Sequence, residues 1–418
     1  MTIPEIQRRE VLRRMKTDAD GRSRRGVAGR TFAFSLAAYA FAVTMLGTTL
    51  PTPLYPIYRE AMGFSELVVT VIFAAYAAGV IAALILFGGW SDQVGRRRML
   101  LVGLALSAAS GLVFLVGGGF LSLAALLIGR VLSGLSAGIF TGTATVAVVE
   151  LAPEERKDQA TLVATAANIG GLGLGPVLAG ILAQYAALPL FSPFVVHLGL
   201  IAVAAVGVLA APETVEVARR ARLRPQRLQV PAEVRGVFAP AAIAGFAGFM
   251  VLGLFTGVSP AFLTRVLGVS DYALVGLVVF SLFVASIAGQ FALERASQRR
   301  ALPAGCLMLI AGAGLIGSGV GFASLTLFLA GAVVGGLGQG LSFRAGLSAV
   351  TSRSPADRRG EITSSFFTIL YVAISIPVIG VGAAAQGFGL VPAGIAFAAV
   401  VAALAGISLL ALLRRTNL

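Results

Sequence analysis

The sequence predicts an all-α polytopic membrane protein built from two six-helix bundles. Three observations carry this: overall hydropathy, the number and length of the apolar runs, and an internal duplication. Hydrophobic residues make up 57% of the 418, and a mean hydropathy of +0.93 exceeds what an aqueous fold can bury. Twelve apolar runs cover about 31–54, 67–90, 99–118, 121–149, 160–186, 190–211, 237–263, 272–293, 302–322, 325–350, 362–386 and 390–413. Each is continuous and near the ~20 residues that cross a hydrocarbon core as a helix, whereas a barrel strand needs only ~10 alternating ones. Shifting the chain along itself by one constant offset lays Gly134 and Gly138 on Gly336 and Gly340, Pro153 on Pro355, Arg156 on Arg358 and Thr161 on Thr363. Two related halves are therefore expected at 31–211 and 237–413, with a basic tail 1–30, a charged linker 212–236 and a short terminus 414–418.

A formal charge of +14 would suggest nucleic acid in a soluble protein, so the placement of the 32 Lys and Arg residues decides. With sides alternating at every helix, all but Arg59, Arg130, Arg265 and Arg344 fall on one side. The positive-inside rule makes that side, and both termini, cytoplasmic. Topology and contact with anionic membrane lipid thus account for the charge, and no nucleic-acid partner is expected. The polar tail 1–30 precedes an apolar run too long for a signal-peptide core, so a cytoplasmic arm without a cleavable signal is expected.

The first run reads SLAAYAFAVTMLGTTLPTPLYP and holds Tyr39, Thr44 and Thr48 but no carboxylate. After the second run comes GGWSDQVGRRRML, residues 88–100, where an aspartate and three arginines interrupt otherwise apolar sequence. Gly88 lies one turn before Asp92 and leaves room for a neighbouring helix. Asp92 is placed to hold an arginine and to face the positive N-terminus of a helix from the other half. Gly95 permits the turn, while Arg96, Arg97 and Arg98 can bind carboxylates, carbonyls or lipid phosphates.

The fourth run carries Arg130, roughly 13 Å from its outer end and near the bilayer midplane. A cation there costs at least ~2.5 kcal/mol and must face protein or water. Gly134 and Gly138 share its face and allow close helix packing, and Glu150 closes the run at the cytoplasmic side. The fifth run contains Gly171, Gly175, Pro176 and Gly180; the sixth contains His197, the only histidine, read as a helix-interface residue or a titratable group. In the second half, Glu294 stands where a degraded copy of the 88–98 loop would place its acid. Phe249, Thr256, Gln339 and Phe343 are the polar and aromatic candidates of the seventh and tenth runs, and Arg344 lies near enough to the cytoplasmic end to snorkel or to enter a cavity. Cys306 is alone, so neither a disulfide nor a cysteine metal set is expected.

No Gly-Lys-Ser/Thr phosphate loop is present, and GGLGQG at 335–340 lies in an apolar run rather than after a strand. With one His and one Cys, no nucleophilic triad or zinc site of the usual kind can be assembled, so neither an enzyme nor a bound cofactor or metal is expected.

Gly88-x-x-x-Asp92-x-x-Gly95-Arg96-Arg97-Arg98, in the slot between helices 2 and 3, resembles the signature loop of the major facilitator superfamily. Twelve helices and the six-plus-six duplication agree over the whole chain. Gly171-x-x-x-Gly175-Pro176-x-x-x-Gly180 is similar to the helix 5 motif of the drug:proton antiporter branch, which usually has Gly where Ala179 stands. The resemblance implies a monomeric secondary transporter of the cytoplasmic membrane, working by alternating access. It implies a cavity on helices 1, 4, 7 and 10 containing Arg130, Gln339, Tyr39 and, as alternatives, Arg344 and His197. It also implies a latch of Asp92 against helix 11 near Ile362, with Glu150 as an accessory charge. Proton-coupled efflux of a drug-like or lipophilic compound is the first expectation. A cavity with arginine and no acid leaves uptake or exchange of a small organic anion as the alternative, and a non-transporting scaffold or sensor as a remote one.

Overall fold

The computed structural model describes residues 30–217, 225–292, 298–355 and 358–416. Among them there is no strand, and twelve helices have the length and hydropathy of a membrane span. They are α1 (30–49), α2 (Glu66–Phe87), α3 (Arg96–Phe120), α4 (Leu123–Leu151), α5 (Lys157–Tyr185) and α6 (Ser192–Ala210). The second half contains α7 (Ala232–Gly257), α8 (Tyr272–Ala292), α9 (Gln298–Gly321), α10 (Leu325–Arg353), α11 (Arg359–Phe388) and α12 (Leu390–Thr416). The tail 1–29 and Glu294, the expected acid of the second loop, lie outside the described residues.

Helix ends differ from the apolar runs for a physical reason. Hydropathy stops at the first charge, whereas backbone hydrogen bonding continues into the polar zone, so α5 begins at Lys157, α11 at Arg359 and α10 ends at Arg353. The first span does not end near residue 54. Pro51 and Pro53 lack N–H groups and break α1, one 3-10 turn follows at Thr52–Leu54, and the helix Tyr55–Met62 extends the span.

Glycines set the tightest packing within each half. Gly134 of α4 lies against the Tyr76 carbonyl and Gly79 of α2, and Gly138 against Val80 and Ala83. Their counterparts, Gly336 and Gly340 of α10, meet the Leu282 and Ser286 carbonyls of α8. Both pairs are close backbone approaches that a side chain would block. Across the halves α2 packs along α11 and α5 along α8. In α5, Gly171 and Gly175 receive Ala42 and Leu46 of α1, while Pro176 and Gly180 meet Gly276 and Tyr272 of α8. Leu112, Val116, Val206, Ile376 and Ile407 remain exposed on the outside, as spans surrounded by lipid require.

Candidate functional site

Between the halves lies a cavity of about 90 Å³ lined from eight helices, α1, α2, α4, α5, α7, α8, α10 and α11. Thr48, Arg130, Phe249, Thr256, Gln339 and Phe343, singled out in the sequence, all line it. Phe73, Tyr76, Thr141, Asn168, Ser286, Phe367 and Tyr371 line it as well and carried no signal of their own. Rings bridge the halves: Tyr76 of α2 meets Tyr371 of α11 edge-on at 6.3 Å, and Phe343 of α10 touches Phe249 at 5.4 Å and Phe367 at 5.9 Å. The Tyr371 hydroxyl joins those of Tyr76 and Thr141, and Tyr76 also meets Thr48.

Arg130 is 2% exposed, and its setting follows from the break in α1. Thr48 lies in the last turn of α1, where carbonyls run short of intrahelical partners, and Pro51 and Pro53 withhold the amides that the neighbouring Gly47 and Thr49 carbonyls would use. Arg130 Nη1 donates to the Thr48 carbonyl at 2.6 Å, and Nη2 donates to the Phe73 carbonyl at 3.3 Å. The guanidinium also lies 4.8 Å from the Tyr76 ring centroid and 5.5 Å from that of Phe73. A cation at the carbonyl end of a helix is electrostatically favoured, which holds the charge without a carboxylate. Its Nε is buried and has no hydrogen-bond partner.

Tyr39, His197, Thr44 and Arg344 do not line this cavity. Tyr39 donates to the Leu200 carbonyl of α6, and Thr44 donates to the Ala40 carbonyl within its own helix. His197 is 3% exposed, packs on Gly47 and pairs through Nε2 with the Val43 carbonyl at 3.1 Å, which makes it a joint between α1 and α6. Arg344 is half-buried on α10, one residue past Phe343, and its angular position turns it away from the lining.

The end carrying most of the arginines is the basic end, and there Arg96 is the hub. It is 8% exposed, pairs with Asp92 at 2.5 Å, donates to Ser91 Oγ at 2.6 Å and reaches Glu150 through Nε and Nη2. Glu213, just past α6, accepts from the Arg96 and Arg97 amides at 2.8 and 3.2 Å and so caps α3, while Thr214 donates to Glu150. The sequence placed Asp92 against α11, but here its ion pair is with Arg96 in its own loop and its side chain is 62% exposed. The gap between α2 and α11 is taken by linker residue Gln226. Its backbone N–H donates to the Ile85 carbonyl at 2.7 Å, its Oε1 accepts from Ser364, and its side chain sits over Gly88 and Gly360, which have none of their own. Asp92, Arg96 and Glu150 of this network were singled out in the sequence, whereas Glu213 and Thr214, just past the sixth run, were not. Gly95 has φ +109 beside the Glu213 carboxylate. Gly95→Ala is therefore expected to cost about 1–3 kcal/mol, measured as a lower unfolding temperature of the purified protein.

At the opposite end the two arginines that break the charge rule converge on one acid. Glu66 of α2 receives Arg59, 2.9 Å away as an ion pair rather than an aligned hydrogen bond, and Arg265 of the other half at 2.5 Å. This cluster borders a vestibule of about 470 Å³ that also includes Tyr55, Glu60 and Tyr272. Separating the halves at this end breaks the Arg265 contact. Glu66→Gln is expected to raise several-fold the labelling of a Thr256→Cys variant by an impermeant thiol reagent added from this face; unchanged labelling counts against a clasp.

The family model of the Major Facilitator Superfamily matches residues 37–378. The chain belongs to the major facilitator superfamily. Among curated relatives, the quinolone resistance protein NorA of Staphylococcus aureus is 27% identical over 139 residues, 33% of this chain and 35% of NorA. The putative multidrug resistance protein MdtD of Escherichia coli O81 is 28% identical over 152 residues, 36% of this chain and 31% of MdtD. The matched stretch thus spans about a third of each relative. Among solved structures, a bacterial homologue of the human lysosomal transporter Spinster, in an inward-facing and unoccupied conformation, superposes with a TM-score of 0.70 at 15% identity, covering 92% of this chain and 98% of that one. A mutant of the peptide transporter POT gives 0.73 at 15%, covering 92% and 94%, and the human organic anion transporter MFSD10 gives 0.64 at 17%, covering 92% and 99%. These likenesses establish the superfamily fold of twelve spans in a multi-pass membrane protein.

Proposed function

We propose that this superfamily member exports a lipophilic, drug-like compound across the cytoplasmic membrane in exchange for protons, by alternating access of the central cavity. The observation that carries this reading is the α5 face Gly171, Gly175, Pro176 and Gly180, which joins α1 on one side and α8 of the other half on the other. A helix packed this closely at the boundary between halves lets them pivot as rigid bodies without opening a leak. Sequence similarity to two resistance proteins supports the direction of transport. In inverted vesicles acidified inside, adding such a compound should make the interior more alkaline. Absence of any proton movement with a panel of lipophilic compounds would overturn the reading.

A second reading, exchange of a small organic anion, is favoured by one observation: Arg130 is the only charged residue among the described residues that line the cavity. Carboxylate counterflow insensitive to an uncoupler would select it. In either case Asp92 belongs to the gating loop, where exchanging part of its pairing with Arg96 for the N-terminus of α11 would close the basic end. Asp92→Asn is expected to insert normally yet cut initial transport rates at least about ten-fold, and near-normal transport by a well-expressed variant would remove that role.

A further inference from the structure

Resting on the reading of the central cavity as the transport site, we propose that it selects flat aromatic ligands bearing a single negative charge and rejects organic cations of the same shape. Two independent features of the lining set this preference. The first is its shape and surface. Phe73, Tyr76, Phe249, Phe343, Phe367 and Tyr371 supply ring faces and edges from both halves, against which a flat ring can stack as the halves move.

The second is charge. Arg130 donates from two nitrogens to the neutral Thr48 and Phe73 carbonyls, so its positive charge has no counter-ion among the described lining residues. A buried cation without a counter-ion is costly, and a ligand carboxylate held beside the guanidinium would supply one. Neutral amides complete the site. Ser286 donates to Gln339 Oε1 at 2.6 Å, which leaves the Gln339 amide nitrogen as its donating end, and Asn168 faces the same space from α5. No carboxylate stands among the described lining residues to balance a ligand cation, which would instead meet Arg130 at short range in a low-dielectric setting.

The test is direct binding to the purified full chain in nanodiscs of neutral lipid, by calorimetry, with three probes that share a ring and differ in charge: 2-naphthoate, 2-naphthamide and 2-naphthylmethylamine. Naphthoate is expected to bind at least ten-fold more tightly than the amine, with the amide between them. Arg130→Lys keeps the order and Arg130→Met abolishes it. Should Arg130→Met not fold, Asn168→Asp supplies the second variant; it leaves Arg130 in place, adds a carboxylate to the lining and should erase or reverse the preference. Equal or tighter binding of the amine to the unaltered chain overturns the proposal. So does a naphthoate preference that survives in folded Arg130→Met or in Asn168→Asp. Binding separates the two readings: this order of affinities without proton exchange in vesicles overturns proton-coupled export alone, and proton exchange driven equally well by the amine overturns the charge selectivity alone.

Discussion

Replacing Arg130 with methionine is expected to abolish transport in vesicles when activity is normalised to folded protein. Methionine fills much of the same space but donates nothing, so the Thr48 and Phe73 carbonyls lose their side-chain donor. An orphaned buried acceptor costs about 1–3 kcal/mol. Thr48 is the more serious loss, because its contact is the shorter, 2.6 Å against 3.3 Å, and it lies where α1 ends. The break between 30–49 and Tyr55–Met62 then loses the bond that ties it to α4, and the Tyr76 and Phe73 rings lose the cation they flank. Lysine is a sharper test of mechanism than methionine. It preserves the charge but cannot hold two diverging carbonyls and lie flat on a ring. Arg130→Lys should keep its fold and still transport at least about ten-fold more slowly, and transport close to normal would show that charge alone suffices.

Gly134→Val is expected to prevent accumulation of folded protein. A side chain at Gly134 runs into the Tyr76 carbonyl, and Gly79 of α2 is 3.0 Å from the new Cβ. Both obstacles are helix backbone and cannot swing aside. Overpacking of this kind usually costs about 1–3 kcal/mol and more when backbone must move, and here α2 and α4 would separate where they hold Tyr76 and Arg130 in register. Gly142 on the same helix has nothing within 4 Å of its Cβ position. Gly142→Ala should therefore express and unfold like the unaltered chain. If both variants behave alike in detergent size-exclusion profiles and unfolding temperature, glycine-mediated contact between α2 and α4 is not what holds this half together.

Much of the architecture was legible because lipid imposes one-dimensional rules. A span must be long, apolar and helical, and its flanking arginines reveal its side, so the twelve helices follow from local sequence. Arg130 was equally visible, since a charge in an apolar run has to have a purpose. Gly134, Gly138, Gly171 and Gly175 announced close packing, though not the partners they meet. Tyr76, Asn168 and Tyr371 were invisible, because an uncharged residue inside a span costs little wherever it points. Tyr39 and His197 looked like cavity residues by type, yet each faces a neighbouring helix and is satisfied by a carbonyl there. Gln226 was hidden for another reason: it lies in a charged linker, and only the approach of α2 and α11 creates the slot over Gly88 and Gly360 that it fills.

The sequence by itself determined the number of spans, their common basic end, the duplication and the presence of Arg130 deep in a span, whereas Arg344 was left as a second cavity candidate that only the structure set aside. Tertiary structure alone decided which helices meet across the halves, that Arg130 binds the broken end of α1, that Arg59 and Arg265 share Glu66, and that Asp92 is paired within its own loop. Those outcomes depend on directions and distances between segments far apart in the chain, and hydropathy carries no information about either.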